Sequence, residues 1–359
     1  VTVARPVPGK QPTIADVARE AGVSVPTVSR VLTGSTKVSP EREARVHAAI
    51  TQLGFRRNGA ARALAAGGQR MIAIVTGDTT RYGYASTIQG IEEAARAAGY
   101  MVIICVVETD EREVVDAAVD LALSQPIAGA VVLEYDPPGA AALAAVPDWV
   151  PLVAVAAGSR ADDDVVHAYM DDRVGAAAAT RYLLDLGHET VHHVAIPSVG
   201  RESSRLVGWR EALQEAGAPV PPVAKADWSP MSGYEAGLRL ARDPAVTAVL
   251  CGNDELAMGL MRAMQESGRA VPGDVSVIGF DDHPLGVLWA PALTTVRQDF
   301  VRLGREAFRL LAELRESAGV AGGQAADPVD PSDGQVVSAR LVPDLVVRAS
   351  SGPRRHPQV

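Results

Sequence analysis

Apolar positions fall into two textures along the chain. From Thr13 to about Gly54 they recur at helical spacing. Ile14, Val17, Ala18 and Ala21 share one face, and Val46, Ile50 and Leu53 share another. Thr13, three residues ahead of Asp16, opens the first helix with a capping-box pattern, and Gly22 closes it. Ser24 caps a second short helix, VPTVSRVL, whose Pro26 is tolerable in the first turn; Ser39-Pro40 opens a third. Three short helices with a tight glycine turn between the first two predict a helix-turn-helix unit over 13–57, behind a Pro-rich arm at 1–12. A connector of alanine, glycine and arginine follows at 58–69.

After the connector, β-branched apolar runs alternate with amphipathic stretches. The runs are MIAIVTG, YMVIICVVE, IAGAVVLE, PLVAVAAG, TVHHVAIPS, AVTAVLCG and VSVIGFDD. The helical patterns between them include STIQGIEEAARAAG, REVVDAAVDLALS, AAAATRYLLDLG, SRLVGWREALQEAG and ELAMGLMRAMQESG. This rhythm predicts two doubly wound parallel-sheet lobes. The first takes residues 70–168 plus 298–330, the second 169–297 plus 331–350, with a tail at 351–359. The low-complexity stretch 317–335 reads as a loop, and LVPDLVVR as one closing strand.

Charge sharpens the division. Residues 1–66 hold ten Lys/Arg against four Asp/Glu, a net of +6 inside a chain of net −9, which leaves −15 on the remainder. A basic head on an acidic body points to a polyanion-binding head. Cys105 and Cys251 lie far apart inside apolar runs and read as buried thiols of a reducing compartment. No apolar run approaches the ~18 residues of a membrane span. The opening VTVARPVPGKQ has no apolar segment of the kind that marks export, so a cytoplasmic protein is expected, on the nucleoid when bound to DNA.

One motif suggests other chemistry. Residues 188–192 read HETVH, the H-E-x-x-H pattern that on a helix pairs two histidines around zinc. His188 follows Gly187, which ends a helix, and TVHHVAI has the composition of a strand. Positions four apart on a strand are ~13 Å apart, too far for two ligands of one metal. No metal, cofactor or catalytic constellation is expected, and the chain is not read as an enzyme.

The stretch from Pro12 to Phe55 (PTIADVAREAGVSVPTVSRVLTGSTKVSPEREARVHAAITQLGF) resembles, without a gap, the DNA-binding head of the lactose-repressor (LacI/GalR) family of bacterial transcription factors. The resemblance continues through the body and is strongest at 226–300, in DWSPMSGYEAG, CGNDELAMGLMRAM, DVSVIGFDD and LTTVRQDF. It implies a small all-α head and an α/β body of the periplasmic-binding-protein type.

Residue chemistry agrees with that reading. The second helix of such a head enters the major groove N-terminus first. Val25 and Pro26 offer apolar contacts there, and Arg30 can reach a guanine O6/N7 pair, worth ~1–3 kcal/mol of discrimination. Thr13, Ser24, Thr27, Ser29 and Thr33 carry short hydroxyls suited to phosphate, although Thr13 and Ser24 also serve as caps. Val28 and Val31 read as core. Lys37 is either a phosphate or base-edge contact or an ordinary surface lysine.

The resemblance further implies a hinge helix that forms on operator DNA, with Asn58, Ala61 and Leu64 matching it. Leu64 would be a minor-groove wedge, or else an ordinary packed leucine. Arg57 replaces the family's usual proline, and Gly59 disfavours helix by ~1 kcal/mol relative to alanine.

In the body, Arg205, Trp228, Asn253, Asp281, Gln298 and Phe300 match the family's effector site. Ala156 stands where galactoside-binding relatives carry an aspartate, and Glu134 on the neighbouring strand is the candidate replacement. The expected partners are pseudo-palindromic operator DNA, a small saccharide effector and a second copy of the chain. The tail SSGPRRHPQV lacks leucine heptads, so a dimer is expected. Two alternatives stand: a same-family regulator that answers a non-sugar effector or a corepressor, and, remotely, a solute-binding protein.

Overall fold

The computed structural model describes residues 12–34, 38–56, 70–158, 165–198, 202–321 and 338–354. The chain divides into two units, Val1–Gln69 and Arg70–Val359.

The first unit holds α1 (Ile14–Ala21), α2 (Val25–Thr33) and α3 (Pro40–Leu53). Gly22, at φ 62°, turns the chain out of α1, and the Val23 amide returns to the Ala18 carbonyl at 3.0 Å. That left-handed turn is cheap only for glycine. Val17, Val28 and Val46 are fully buried where the three helices meet, with Ile14, Val31, Ile50 and Leu53 packed around them. Ser24 occupies the cap position of α2, but its hydroxyl meets Thr27 Oγ1 at 2.9 Å instead of capping a backbone amide.

The second unit is two doubly wound lobes. Lobe one contains β1 (Met71–Thr76), α4 (Tyr82–Ala97), β2 (Met101–Val106), α5 (Arg112–Leu123), β3 (Ala130–Glu134), α6 (Pro137–Ala145), β4 (Leu152–Ala156) and β5 (His167–Met170). Lobe two contains α7 (Asp172–Asp185), β6 (His192–Ala195), α8 (Ser204–Glu215), β7 (Ala224–Lys225), α9 (Pro230–Leu240), β8 (Ala248–Cys251), α10 (Asp254–Glu266), β9 (Ser276–Asp281) and β10 (Thr294–Arg297). The chain then returns to lobe one as α11 (Phe300–Ala321) and β11 (Ser338–Leu341), and ends in lobe two as β12 (Asp344–Val346).

The first sheet has the order β11-β5-β4-β3-β1-β2, all parallel. The second has the order β12-β10-β9-β8-β6-β7, parallel except for β12. Strand alternation feeds a core on each face. Ile72 and Ile74 pack with Ile91, Leu303 and Ala307 of α4 and α11, whereas Ala73 and Val75 pack with Val115, Val119 and Leu143 of α5 and α6. In lobe two, Val249 and Cys251 face Leu256 and Leu260, while Leu250 faces Leu183 and Trp209.

Four expectations change. His167–Met170 forms β5 in the first sheet, so the lobe boundary at 168/169 falls inside a strand. Pro343 lacks a ladder donor, and LVPDLVVR breaks there. Its first residue ends β11 in lobe one and DLV forms β12 in lobe two, so 331–350 does not belong wholly to lobe two. The helix α11 runs on to Ala321, past the start of the loop expected at 317. Finally, residues 351–354 are not a free tail. The Gly352 carbonyl accepts from the Ser276 hydroxyl at 3.0 Å, and the Arg354 amide donates to the Leu186 carbonyl at 3.0 Å.

The HETVH motif is split by the fold. His188 lies outside the strand and is buried, its ring bonded to Thr247 Oγ1 at 3.0 Å and Ser276 Oγ at 3.1 Å. His192 begins β6.

Candidate functional site

In the head, burial separates core from surface on α2. Val28 faces inward, while Ser24, Val25, Pro26, Ser29, Arg30 and Thr33 are exposed and Thr27 is half-buried. Several hydroxyls already have partners. Thr13 Oγ1 accepts the Asp16 amide at 3.3 Å while the Thr13 amide donates to Asp16 Oδ2 at 2.9 Å, which closes the capping box; Thr13 Oγ1 also donates to Asp16 Oδ2 at 2.7 Å, and Thr33 Oγ1 donates to the Ser29 carbonyl at 2.9 Å. Thr13, with Arg19 beside it, holds the Asp16 carboxyl below its ordinary range. Lys37, Asn58, Ala61 and Leu64, with Arg57 and Gly59, lie outside the described residues.

In the body, a cavity of about 410 Å³ lies at the C-terminal strand ends of both lobes. This is where doubly wound sheets place ligands. Glu134, Arg205, Trp228, Asn253, Asp281, Gln298 and Phe300 all line it. They come from β3 and α11 of lobe one, from α8 and β9 of lobe two, and from the connecting loops.

Arg205 is the hub. It lies one residue inside the N-terminus of α8, and its side chain is almost wholly buried. Nε donates to Asp172 Oδ2 at 2.7 Å, Nη1 donates to the Gly252 carbonyl, and Nη2 sits 3.3 Å from Asp281 Oδ1. The guanidinium also lies 4.1 Å from the Phe280 ring centroid. Gln298 Nε2 donates to the other oxygen of Asp172, tying the passage between lobes to the hub. Burial pushes the Asp281 carboxyl well above its ordinary range and outweighs the pull of Arg205. Asp281 and Asp282 have φ of 107° and 57°, backbone that non-glycine residues seldom adopt. Arg297 and Arg348 hold the Asp282 carboxylate at 2.7 and 2.5 Å. Such strain persists where surrounding contacts over-determine it, commonly at a binding site.

Asn253 serves two ends at once. Its Oδ1 accepts the Leu256 amide at 2.8 Å and caps α10, while Nδ2 donates to the Trp228 carbonyl at 3.3 Å. The Trp228 ring carries the Arg81 guanidinium 5.1 Å from its centroid, so one ring face is already taken by lobe one. Phe300 packs edge-on with Tyr82 and Tyr135. Glu134 and Ala156 are register partners on β3 and β4, so the carboxylate stands one strand away from the alanine, both at the cavity.

Sequence reasoning missed Asp172, Arg81 and Tyr82. Asp172 opens α7 behind the capping Asp171, and an acidic pair at a helix start reads as ordinary capping. Only the fold brings it to Arg205. Arg81 holds the cap position of α4 without a side-chain cap bond and Tyr82 opens the helix, with no local signal that distinguishes them.

Residues 13–58 match the lacI family of bacterial regulatory proteins, and residues 180–351 match a periplasmic binding protein-like domain. The chain is 32% identical over 321 residues to the lactose operon repressor of Escherichia coli K12, covering 88% of each chain. It is 34% identical over 312 residues to the transcriptional repressor PurR of Pectobacterium carotovorum, covering 84% of this chain and 89% of that one. The solved lac repressor dimer, bound to operator and the anti-inducer ONPF, aligns with a TM-score of 0.81 at 29% identity over 96% of this chain and 100% of that one. The transcriptional regulator CelR in complex with cellobiose aligns with a TM-score of 0.66 at 28% identity over 95% and 100%. A matching DNA-binding head sets the chain apart from a solute-binding protein. The chain belongs to the lacI family of bacterial regulatory proteins, DNA-binding transcriptional repressors that carry a ligand-binding regulatory domain.

Proposed function

We propose that this repressor is released from its operator by a small saccharide, a β-linked disaccharide or glycoside, bound between the lobes. The observation that carries the reading is the convergence of the seven residues expected from the sequence and its resemblance on one cavity around the Arg205–Asp172–Asp281 hub. The hub offers buried charged hydrogen-bonding groups suited to vicinal hydroxyls, and Phe300 and Trp228 supply aromatic surface for a ring face. Arg30, Val25 and Pro26 read base edges, and Thr13, Ser24, Thr27, Ser29 and Thr33 meet phosphates after exchanging their present partners. Lys37, Asn58, Ala61 and Leu64 complete the DNA contacts. Two copies present two heads to a pseudo-palindrome. Exposed Met101, Ile104 and Val106 on the β2 edge, and exposed Leu288 and Trp289 in lobe two, supply apolar surface for that pairing. Ligand shifts the population toward a body in which the paired hinges separate, and operator affinity falls. The protein works in the cytoplasm.

The resemblance to PurR favours a second reading, a non-sugar ligand that strengthens DNA binding. Fluorescence anisotropy on a labelled pseudo-palindromic duplex separates the two. Loss of binding with one mono- or disaccharide is the expected result. Tightening by a purine base, with every sugar silent, would replace the inducer reading with the corepressor one.

A further inference from the structure

We propose that Arg81 and Tyr82 of lobe one, with Trp228 and His283 of lobe two, form a clasp across the rim of the cleft that opens and closes as a single unit. The clasp goes beyond the saccharide reading and does not depend on which ligand the cleft takes.

Two contacts make the clasp, and both run from one lobe to the other. The Arg81 guanidinium lies 5.1 Å from the centroid of the Trp228 ring, within cation–π range. The Tyr82 and His283 ring centroids are 4.9 Å apart, with the planes tilted by 59°. Arg81, Tyr82 and Trp228 line the cavity and are half-buried, which puts the clasp at its rim. The crossovers near Asp171, Gln298 and Pro343 join the lobes through the backbone. The clasp joins them through side chains alone, so it can part without breaking a helix or a strand.

Each half is built as one body. On lobe one, Arg81 and Tyr82 are consecutive residues at the start of α4. Asp78 pins that turn. Its Oδ1 accepts from the Thr80 amide at 2.6 Å and the Arg81 amide at 3.1 Å, and its Oδ2 lies 3.2 Å from Arg81 Nε. A Cβ on Gly83 would lie 2.9 Å from the Phe300 ring, so the turn is packed tight on the start of α11. On lobe two, the anchors are consecutive as well. Asn253 Nδ2 donates to the Trp228 carbonyl at 3.3 Å, and Asp254 Oδ2 accepts from the His283 amide at 2.6 Å. The Leu285 amide donates to His283 Nδ1 at 3.1 Å and fixes that ring. A displacement of the start of α4 away from the start of α10 therefore separates both pairs together.

A shift between lobe arrangements requires an element with two discrete states. The clasp is such an element, and Asn253, which lines the cavity, anchors one half of it.

The test labels the full chain with 5-fluorotryptophan and follows Trp228 by fluorine NMR. Four signals arise, from Trp149, Trp209, Trp228 and Trp289, and Trp228→Phe assigns the third. The difference in its shift between light and heavy water reports exposure of the ring. Arg81→Leu uncovers the ring directly. His283→Ala and Tyr82→Ala remove only the other contact, so two independent contacts would leave Trp228 covered in both. The clasp predicts instead that either variant raises the population with an exposed Trp228 ring roughly two- to tenfold, the range that one aromatic pair is worth. The fully buried Trp209 reports the integrity of lobe two. If His283→Ala disturbs that signal, Tyr82→Ala, which acts from lobe one, decides. A Trp228 signal that answers to Arg81→Leu alone, or to none of the three variants, overturns the clasp.

Discussion

At the scale of single residues, burial sets the protonation of acids and bases beside the cleft. Asp254 is fully buried, accepts from Thr295 Oγ1 and the His283 amide at 2.6 Å each, and is pushed by burial up to about 7. Between its ordinary 3.8 and about 7, the folded chain holds a proton that the unfolded chain has released. Its contribution to stability is therefore present at low pH and lost as pH rises through that window. Buried His193 works in the opposite sense. Its pKa is lowered to about 4, so its contribution grows as pH rises from there toward 6.5. Urea unfolding of wild type and Asp254→Asn across this range isolates the first effect. The variant should gain on wild type as pH climbs from about 4 to 7, by a few kcal/mol in all, and the difference should level off above that. A difference independent of pH would show that Asp254 is ionised in the folded protein throughout.

At the scale of elements, α4 and α11 meet through glycines. A Cβ on Gly304 of α11 would lie 2.2 Å from the Thr87 carbonyl oxygen of α4, and one on Gly90 of α4 would lie 2.0 Å from that of Val301. Gly304→Ala should therefore force the helices apart and cost about 1–3 kcal/mol in a guanidinium melt of the full chain. Wild-type stability in that variant would mean the pair separates freely.

Element type was legible in the sequence where period and flanks agreed. The helices of the head and the apolar strands β1, β3, β8 and β9 announced themselves locally, whereas Asn253 and Asp281, which local pattern alone reads as caps after strands, were picked out by the resemblance. Elements hidden from local reading fail for identifiable reasons. The helix α6 opens on two prolines and is mostly alanine, with no polar stripe to mark a period. The strand β5 is four residues long and buried on both faces, so no alternation survives. The Arg205–Asp172 pair joins positions 33 apart, and no local pattern encodes it.

At the scale of the whole molecule, the separation of charge predicts how DNA binding responds to salt. The +6 of residues 1–66 stands against −15 on the remainder, so attraction to DNA comes from the head while the body repels it. Operator affinity should fall by roughly 10³–10⁵ between 50 and 200 mM salt if the paired heads neutralise some six to ten phosphates. Anisotropy titrations at several salt concentrations measure this, and a nearly flat response would remove phosphate contacts from the account. The lobes pose a different question, because the chain passes between them near Asp171, near Gln298 and at Pro343. Each sheet is completed by a strand from residues 338–346, β11 for one and β12 for the other. Neither lobe can therefore finish assembling on the ribosome ahead of its neighbour. A premature stop before Ser338 would strip an edge from both lobes at once, so such nonsense alleles should lose the whole regulatory body instead of one half of it.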